Sequence, residues 1–392
     1  MARLGDVCEI LNGYAFKSAN YTDKGVRIIR ISNVQKGCIE DNTPAFYPFD
    51  DINVAKYELF EGDLLLSLTG NVGRVGRLDK KFLPAALNQR VACIRIKDNT
   101  ALDKSFLFDL LNSDSFEQKC ILSSKGVAQK NLSTEWLKDY KIPLPPLAEQ
   151  HKIAAVLDKV SDLIAKRRQQ LNKLDELVKS RFIEMFGDPM TNPHNLPKVI
   201  LGSVLTIEPQ NGLYKPQSDY TSDGTGIPIL RIDSFYEGKV SNLSSLKRLI
   251  CSEIELKRYS LYENDIVINR VNSIEYLGKC GLIQGLVENT VFESNMMRLH
   301  VDEHKFHPVY ITKLLCSEFI YQQILRRAKK AVNQASINQK DVQSFVVYMP
   351  PIEQQDQFAA FVAQTDKSKL AIQKSLEKLE ILKKALMQKY FG

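Results

Sequence analysis

The chain has 392 residues, 44% hydrophobic and 25% charged, with a net charge of +7. That length suits two or three domains, the composition excludes global disorder, and no run approaches the roughly 18 apolar residues of a membrane span. Seven scattered cysteines form no CxxC, so neither a disulfide framework nor a zinc ribbon is expected. MARLGDVCEI has no signal layout, so a cytoplasmic protein with reduced thiols is expected. The charge is spread along the chain without a basic tail, so a polyanion would have to be met by patches on folded surfaces.

In chain order, residues 1–147 read as a mixed α/β segment. GVRIIRIS (25–32), DLLLSL (63–68) and RVACIRI (90–96) are β-rich stretches between turn residues, and a helix follows at about 104–122. The pair Pro145-Pro146 marks the start of a long helix over 148–187. Its seam positions 153, 157, 160, 164, 167, 171, 174, 178, 181 and 185 step by four and three, the 3.5-residue period of a coiled coil. GDPMTNPHNLP (187–197) is a helix stop and linker. A second α/β segment fills 188–352, with a helix at about 308–327, and a second long helix fills 353–392.

The second half repeats the first. PLPPLAEQHKIAAVL (143–157) returns as YMPPIEQQDQFAAFV (348–362) at an offset of 205, which holds to Phe186-Gly187 against Phe391-Gly392. Upstream the offset drifts between 197 and 205, with EGDLLLS (61–67) against ENDIVIN (263–269). A helical frame in strict register therefore carries two diverged globular segments. The seam is imperfect in each copy, since the places of Arg167 and Arg181 hold Ile372 and Leu386 in the second copy, while Lys369 and Lys383 take the places of Ile164 and Val178. Paired seams would let these long stems cover apolar surface. Two-fold repetition makes antiparallel packing the simplest arrangement.

Common catalytic signatures are missing. No GxxxxGK[ST], HExxH, GxSxG, helix-opening GxGxxG or [DNS]PP[YF] occurs, so the chain is expected not to transfer methyl groups by itself. TGNVGRVGRL (69–78) is read as a tight turn rather than a phosphate cradle. His300, His304 and His307 are read as solvated or locally packed histidines rather than zinc ligands. Asp63 and Asp265 stand at matching places, either as turn residues before strands or as nuclease carboxylates. The loops offer more chemistry, because Arg and Lys suit guanine edges, Asn and Gln suit adenine edges, and all four suit phosphate. The first copy presents Lys17, Asn71, Arg74, Arg77, Asn88, Gln89, Arg90, Lys125, Gln129 and Lys130. The second presents Lys215, Arg270, Asn272, Lys279, Asn295, Arg298, Lys329, Lys330 and Gln334. Ser133 and Asn338 are read as N-caps of short helices.

LPPLAEQHKIAAVLDKV (144–160), FIEMFGDPMTNP (182–193), MPPIEQQDQFAAFV (349–362) and KYFG (389–392) resemble the specificity (S) subunit of type I restriction–modification systems. GYAFKS (13–18), LNQRVA (87–92) and AQKNLS (128–133) add to that resemblance. In the second segment NMMRLHV and VNQAS replace the more typical wording. The resemblance implies an α+β protein with two mixed α/β target-recognition domains separated by two long helices forming an antiparallel coiled coil, with an internal pseudo-two-fold repeat. It implies a non-catalytic chain that binds double-stranded DNA, each domain reading half of a bipartite site. Two methyltransferase (M) subunits and restriction (R) subunits would be partners. S-adenosylmethionine, ATP and Mg would lie on those partners, with no cofactor on this chain and no membrane. A coiled-coil scaffold and a nuclease acting through Asp63 and Asp265 are the alternatives.

Overall fold

Two 40-residue helices, Leu147–Phe186 and Ile352–Phe391, form the frame of a computed structural model that describes residues 1–124, 126, 130–240 and 243–392. All ten expected seam positions of the first helix are buried or half-buried. The chain divides into two compact units, residues 1–170 with 372–392, and residues 171–371.

In the first unit, Ile153, Ala154 and Leu157 share a core with Phe391, whose ring meets Phe106 edge-on, and Arg168 pairs with Glu380 at 2.8 Å. In the second unit, Phe182 and Phe186 each lie edge-on to Phe358, and Lys369 pairs with Asp175. Early positions of one helix meet late positions of the other in both units, so the helices run antiparallel. The polar seam residues behave as their long stems allow: Arg167, Arg181, Lys369 and Lys383 are half-buried, and Arg181 lies over the Phe361 ring.

Among the described residues, each globular part carries two sheets of four or more strands besides shorter ladders. In the first, Cys8–Asn12, Val91–Ile96, Leu64–Ser67 and Val75–Arg77 form one antiparallel sheet. Phe46–Tyr47, Val26–Ile29, Ala85–Leu87 and Glu58–Leu59 form the other, where Val26–Ile29 and Ala85–Leu87 are parallel. In the second, Leu205–Asn211, Met296–Val301, Ile266–Asn269 and Cys280–Leu282 repeat the first arrangement and are extended by Gly238–Val240 and Phe235–Tyr236. The segment 25–32 is a strand only over Val26–Ile29, because Asn33 Oδ1 accepts the Arg30 N–H and the Arg30 carbonyl accepts the Asn33 N–H, closing a turn of 3₁₀-helix at Ile31–Asn33.

The single helices expected at 104–122 and 308–327 are each broken in two. Lys104–Leu111 stops at Asn112, and Ser113 accepts the Phe116 N–H to start Asp114–Ser123. Pro308–Leu315 stops at Cys316, and Glu318–Arg327 follows Ser317. An N-capping residue inside an apolar run offers the backbone a fresh helix start, which the apolar period alone does not reveal. Ser133 and Asn338 are N-caps as expected, accepting from Glu135 and Asp341.

One buried glutamine per copy locks frame to domain. Gln150 Nε2 donates to the carbonyls of Ala101 and Pro145, and its Oε1 accepts the Asp103 N–H. Gln355, 205 residues on, donates to Lys305 and Pro350 and accepts from His307. The ends of each domain meet on a short ladder, Ala2–Arg3 with Lys141–Ile142 and Lys198–Ile200 with Val346–Tyr348.

Candidate nucleic-acid interface

The polar loops of the first unit are tied together by their backbones. Leu68 N–H donates to Arg90, Leu132 N–H to Leu68, Gly70 N–H to Lys130, Tyr14 N–H to Leu87 and Gln89 N–H to Tyr14. Four segments distant in sequence thus converge, and Lys17, Asn71, Gln89, Arg90 and Lys130 are exposed there. Asn88 is buried and structural: its Oδ1 accepts the Arg90 N–H, and Gly13 packs so close to it that a Cβ would lie 2.3 Å from the Asn88 carbonyl.

The second unit repeats these bonds. Arg270 N–H donates to Asn295, Ile337 N–H to Arg270, Leu213 N–H to Phe292 and Ser294 N–H to Leu213. Asn272 sits on Val271–Asn272, which pairs with Ala335–Ser336, and that strand pairs with Lys329–Lys330. Asn295, Lys329, Lys330 and Gln334 are exposed. The backbone match makes Asn295 the counterpart of Arg90 and Arg298 that of Cys93.

Several candidates lie elsewhere or are otherwise engaged. Arg298 is buried on its strand, donating to the Ser260 carbonyl and the Gln210 side chain, with Asp265 at 3.5 Å. Arg77 covers the Phe108 ring, 4.4 Å from its centroid, on the helix side of its sheet. Arg74 donates to the Gln35 amide, and Arg270 to the Ser294 carbonyl. Lys215 is held by Glu255 and Asp219, and the Glu255 carboxyl is lowered to about 2 by that lysine and by Ser252. Lys279 stacks over Tyr276 and Tyr236. Lys125 and Gln129 lie outside the described residues. Tyr214, beside Lys215, is 77% exposed on a converging loop, a position that charged and amide side chains alone do not point to.

The carboxylates before the strands are structural. Asp63 accepts the Phe60 N–H and two bonds from Arg95, at 2.9 and 2.7 Å. Asp265 accepts the Tyr262 N–H and lies 3.0 Å from His300 Nδ1, and burial raises its carboxyl. Arg95 and His300 are themselves 205 apart, so each copy supplies its own partner for the turn carboxylate. His307 Nδ1 caps a helix by accepting the Val309 N–H, and His304 N–H donates to Asp302. Within TGNVGRVGRL a turn precedes the strand Val75–Arg77 and is closed by Ser67 Oγ accepting the Arg74 N–H, with Gly70 and Gly73 at positive φ.

The type I restriction modification DNA specificity domain matches residues 1–176 and 193–383, and the chain belongs to that family. It is 24% identical to the EcoKI specificity subunit of Escherichia coli (strain K12) over all of this chain and 88% of that one. It is 33% identical to the MjaVIII specificity subunit of Methanocaldococcus jannaschii over 46% of this chain and 43% of that one. The crystal structure of a type I restriction–modification S subunit from M. genitalium is similar in fold, with a TM-score of 0.59 at 14% identity, covering all of this chain and 95% of that one. These relatives are named as specificity subunits, and this chain is a specificity chain rather than a catalytic one.

Proposed function

We propose that the chain is the sequence-specific double-stranded DNA-binding subunit of a type I restriction–modification complex, acting in the cytoplasm. Each recognition domain reads half of a bipartite target through its converged loops, and the paired helices dock two methyltransferase subunits. Those subunits carry S-adenosylmethionine, while restriction subunits bring ATP and Mg. The observation that carries this reading is the convergence itself: the same backbone bonds gather four loops in each unit, while the exposed side chains differ between the units. A fixed scaffold with variable Arg, Lys, Asn and Gln tips suits two different base sequences better than it suits one symmetric protein partner.

The test is to reconstitute the chain with methyltransferase subunits and map the methylated sites. A bipartite motif is expected, with one half altered when the exposed loop residues of residues 1–147 are exchanged and the other when those of 188–352 are exchanged. Methyl transfer by the isolated chain, or a motif that ignores both exchanges, would overturn the proposal.

A further inference from the structure

A cavity of about 680 Å³ in the second unit is lined by Val178 and Phe182 of the long helix, by Lys313, and by two cysteines far apart in sequence, Cys280 and Cys316. Cys280 opens the strand Cys280–Leu282 and is fully buried, whereas Cys316 ends the helix Pro308–Leu315 and is exposed. Their sulfurs lie 3.1 Å apart and share a hydrogen bond. In the first copy the same places hold Val75, which opens Val75–Arg77, and Asn112, which ends Lys104–Leu111. Thiols therefore stand here in one repeat only, so the shared fold does not require them.

We propose that Cys280 and Cys316 are an oxidisable dithiol, with Cys316 the sulfur that meets a peroxide and Cys280 the one that resolves it. The environment differs from that of the other five cysteines. Burial pushes Cys8 and Cys120 up to about 12 and raises Cys93, and burial with a neighbouring glutamate raises Cys38 and Cys251. Cys316 alone is lowered, by the hydrogen bond from Cys280 and by the Lys313 side chain, whose Nζ donates to the Glu237 carbonyl. The thiolate is the reactive form of cysteine, so selectivity follows from exposure and this lowering together.

The Cys316 thiolate sulfur attacks one oxygen of hydrogen peroxide and the O–O bond breaks. Hydroxide leaves, takes up a proton as water, and a sulfenic acid remains. The Cys280 sulfur then attacks Cys316 Sγ, the S–O bond breaks, and the departing hydroxide leaves as a second water with the Cys280 proton. Two thiols together lose two electrons and the peroxide gains two. Bonding at about 2.05 Å requires the sulfurs to close by about 1 Å. That movement falls to Cys316, because the strand bearing Cys280 packs tightly: a Cβ on Gly281 would stand 2.8 Å from Phe235 Cβ.

The experiment is peroxide titration of the full chain followed by thiol counting in denaturant and peptide mapping. Free thiols are expected to fall from 7 to 5, with one linked pair containing Cys280 and Cys316 that a dithiol reductant restores. In Cys280→Ala, folded by circular dichroism, a sulfenic acid trapped by dimedone is expected on Cys316. In Cys316→Ser, Cys280 should stay unmodified. Loss of thiols mainly at Cys38 or Cys251, oxidation of Cys316 without the link in the parent chain, or no loss at doses that oxidise free cysteine would each overturn the proposal. Should Cys280→Ala fail to fold, the map of the parent chain decides alone.

Discussion

Replacing Gln150 by alanine tests how the long helix is joined to its domain. The side chain is fully buried and makes three hydrogen bonds of 2.8–3.0 Å to the backbones of Ala101, Asp103 and Pro145. At about 1 kcal/mol net for each bond, with the backbone groups stranded in the interior, the loss comes to about 3 kcal/mol. Gln150→Met keeps much of the volume and removes the bonds, so a similar loss there separates hydrogen bonding from cavity formation. Trp136, the single tryptophan of the chain, lies in the same unit with its ring 5.3 Å from that of Tyr140, so its fluorescence reports unfolding where the substitution acts. The assay is urea unfolding followed by that fluorescence. A cost below about 1 kcal/mol for both variants would show that the glutamine is dispensable and refute the reasoning.

The Asp109 carboxyl is pushed up to about 7, chiefly by burial and then by Asp158, against Lys383 and Arg77. A carboxyl that holds its proton more tightly when folded loses stability as pH rises from about 4 to about 7 and is level above. Asp109→Asn should flatten that slope, and equal changes in Tm between about pH 5 and about pH 8 for parent and variant would contradict it. Arg90→Ala should alter preference at one base position by roughly 1–3 kcal/mol, whereas Lys130→Ala should weaken all sequences and reduce the salt dependence by about one counterion. Binding to single-base variants at several salt concentrations distinguishes them. Arg298→Ala should lower Tm through its lost bonds to Ser260 and Gln210 and leave base preference unchanged. Inserting about one heptad in each long helix should lengthen the gap between half-sites in a methylation map without changing either half, and altered half-sites would mean that the helices themselves read bases.

The frame was legible because it is periodic: seam residues from Ile153 to Met185 announce themselves every three or four positions, and the 205 offset carries Gln150 onto Gln355. The convergence of the loops was not legible, since it rests on backbone bonds such as Leu68 to Arg90, which leave no trace in side-chain identity. Reading NMMRLHV in place of the NQR stretch leaves Arg298 among the loop cations, whereas the backbone bonds make Asn295 the counterpart of Arg90. An arginine inside a β-rich run reads as a loop cation until its partners Ser260, Gln210 and Asp265 are known. Arg77 misled in the same way, because the Phe108 ring that it covers lies on a helix 31 residues away in the chain. The break at Ser113 does carry a polar capping signal in Asn112-Ser113-Asp114, whereas Ser317 makes no side-chain cap bond and leaves little trace in the run around it.

The two short ladders at the ends of the recognition domains have a genetic consequence. Because Ala2–Arg3 meets Lys141–Ile142 and Lys198–Ile200 meets Val346–Tyr348, each domain leaves and rejoins the chain through one narrow neck. A recombination event with both crossovers at such a neck exchanges the enclosed loops as a cassette. The glutamine locks bind carbonyl and amide groups that any backbone supplies, so an incoming segment has to match the helix seam mainly at the apolar side chains packed on it, such as Phe106 against Phe391 and Tyr310 against Phe186. On the proposed function, such an exchange would replace one half-site in a single step and leave the paired helices as they were.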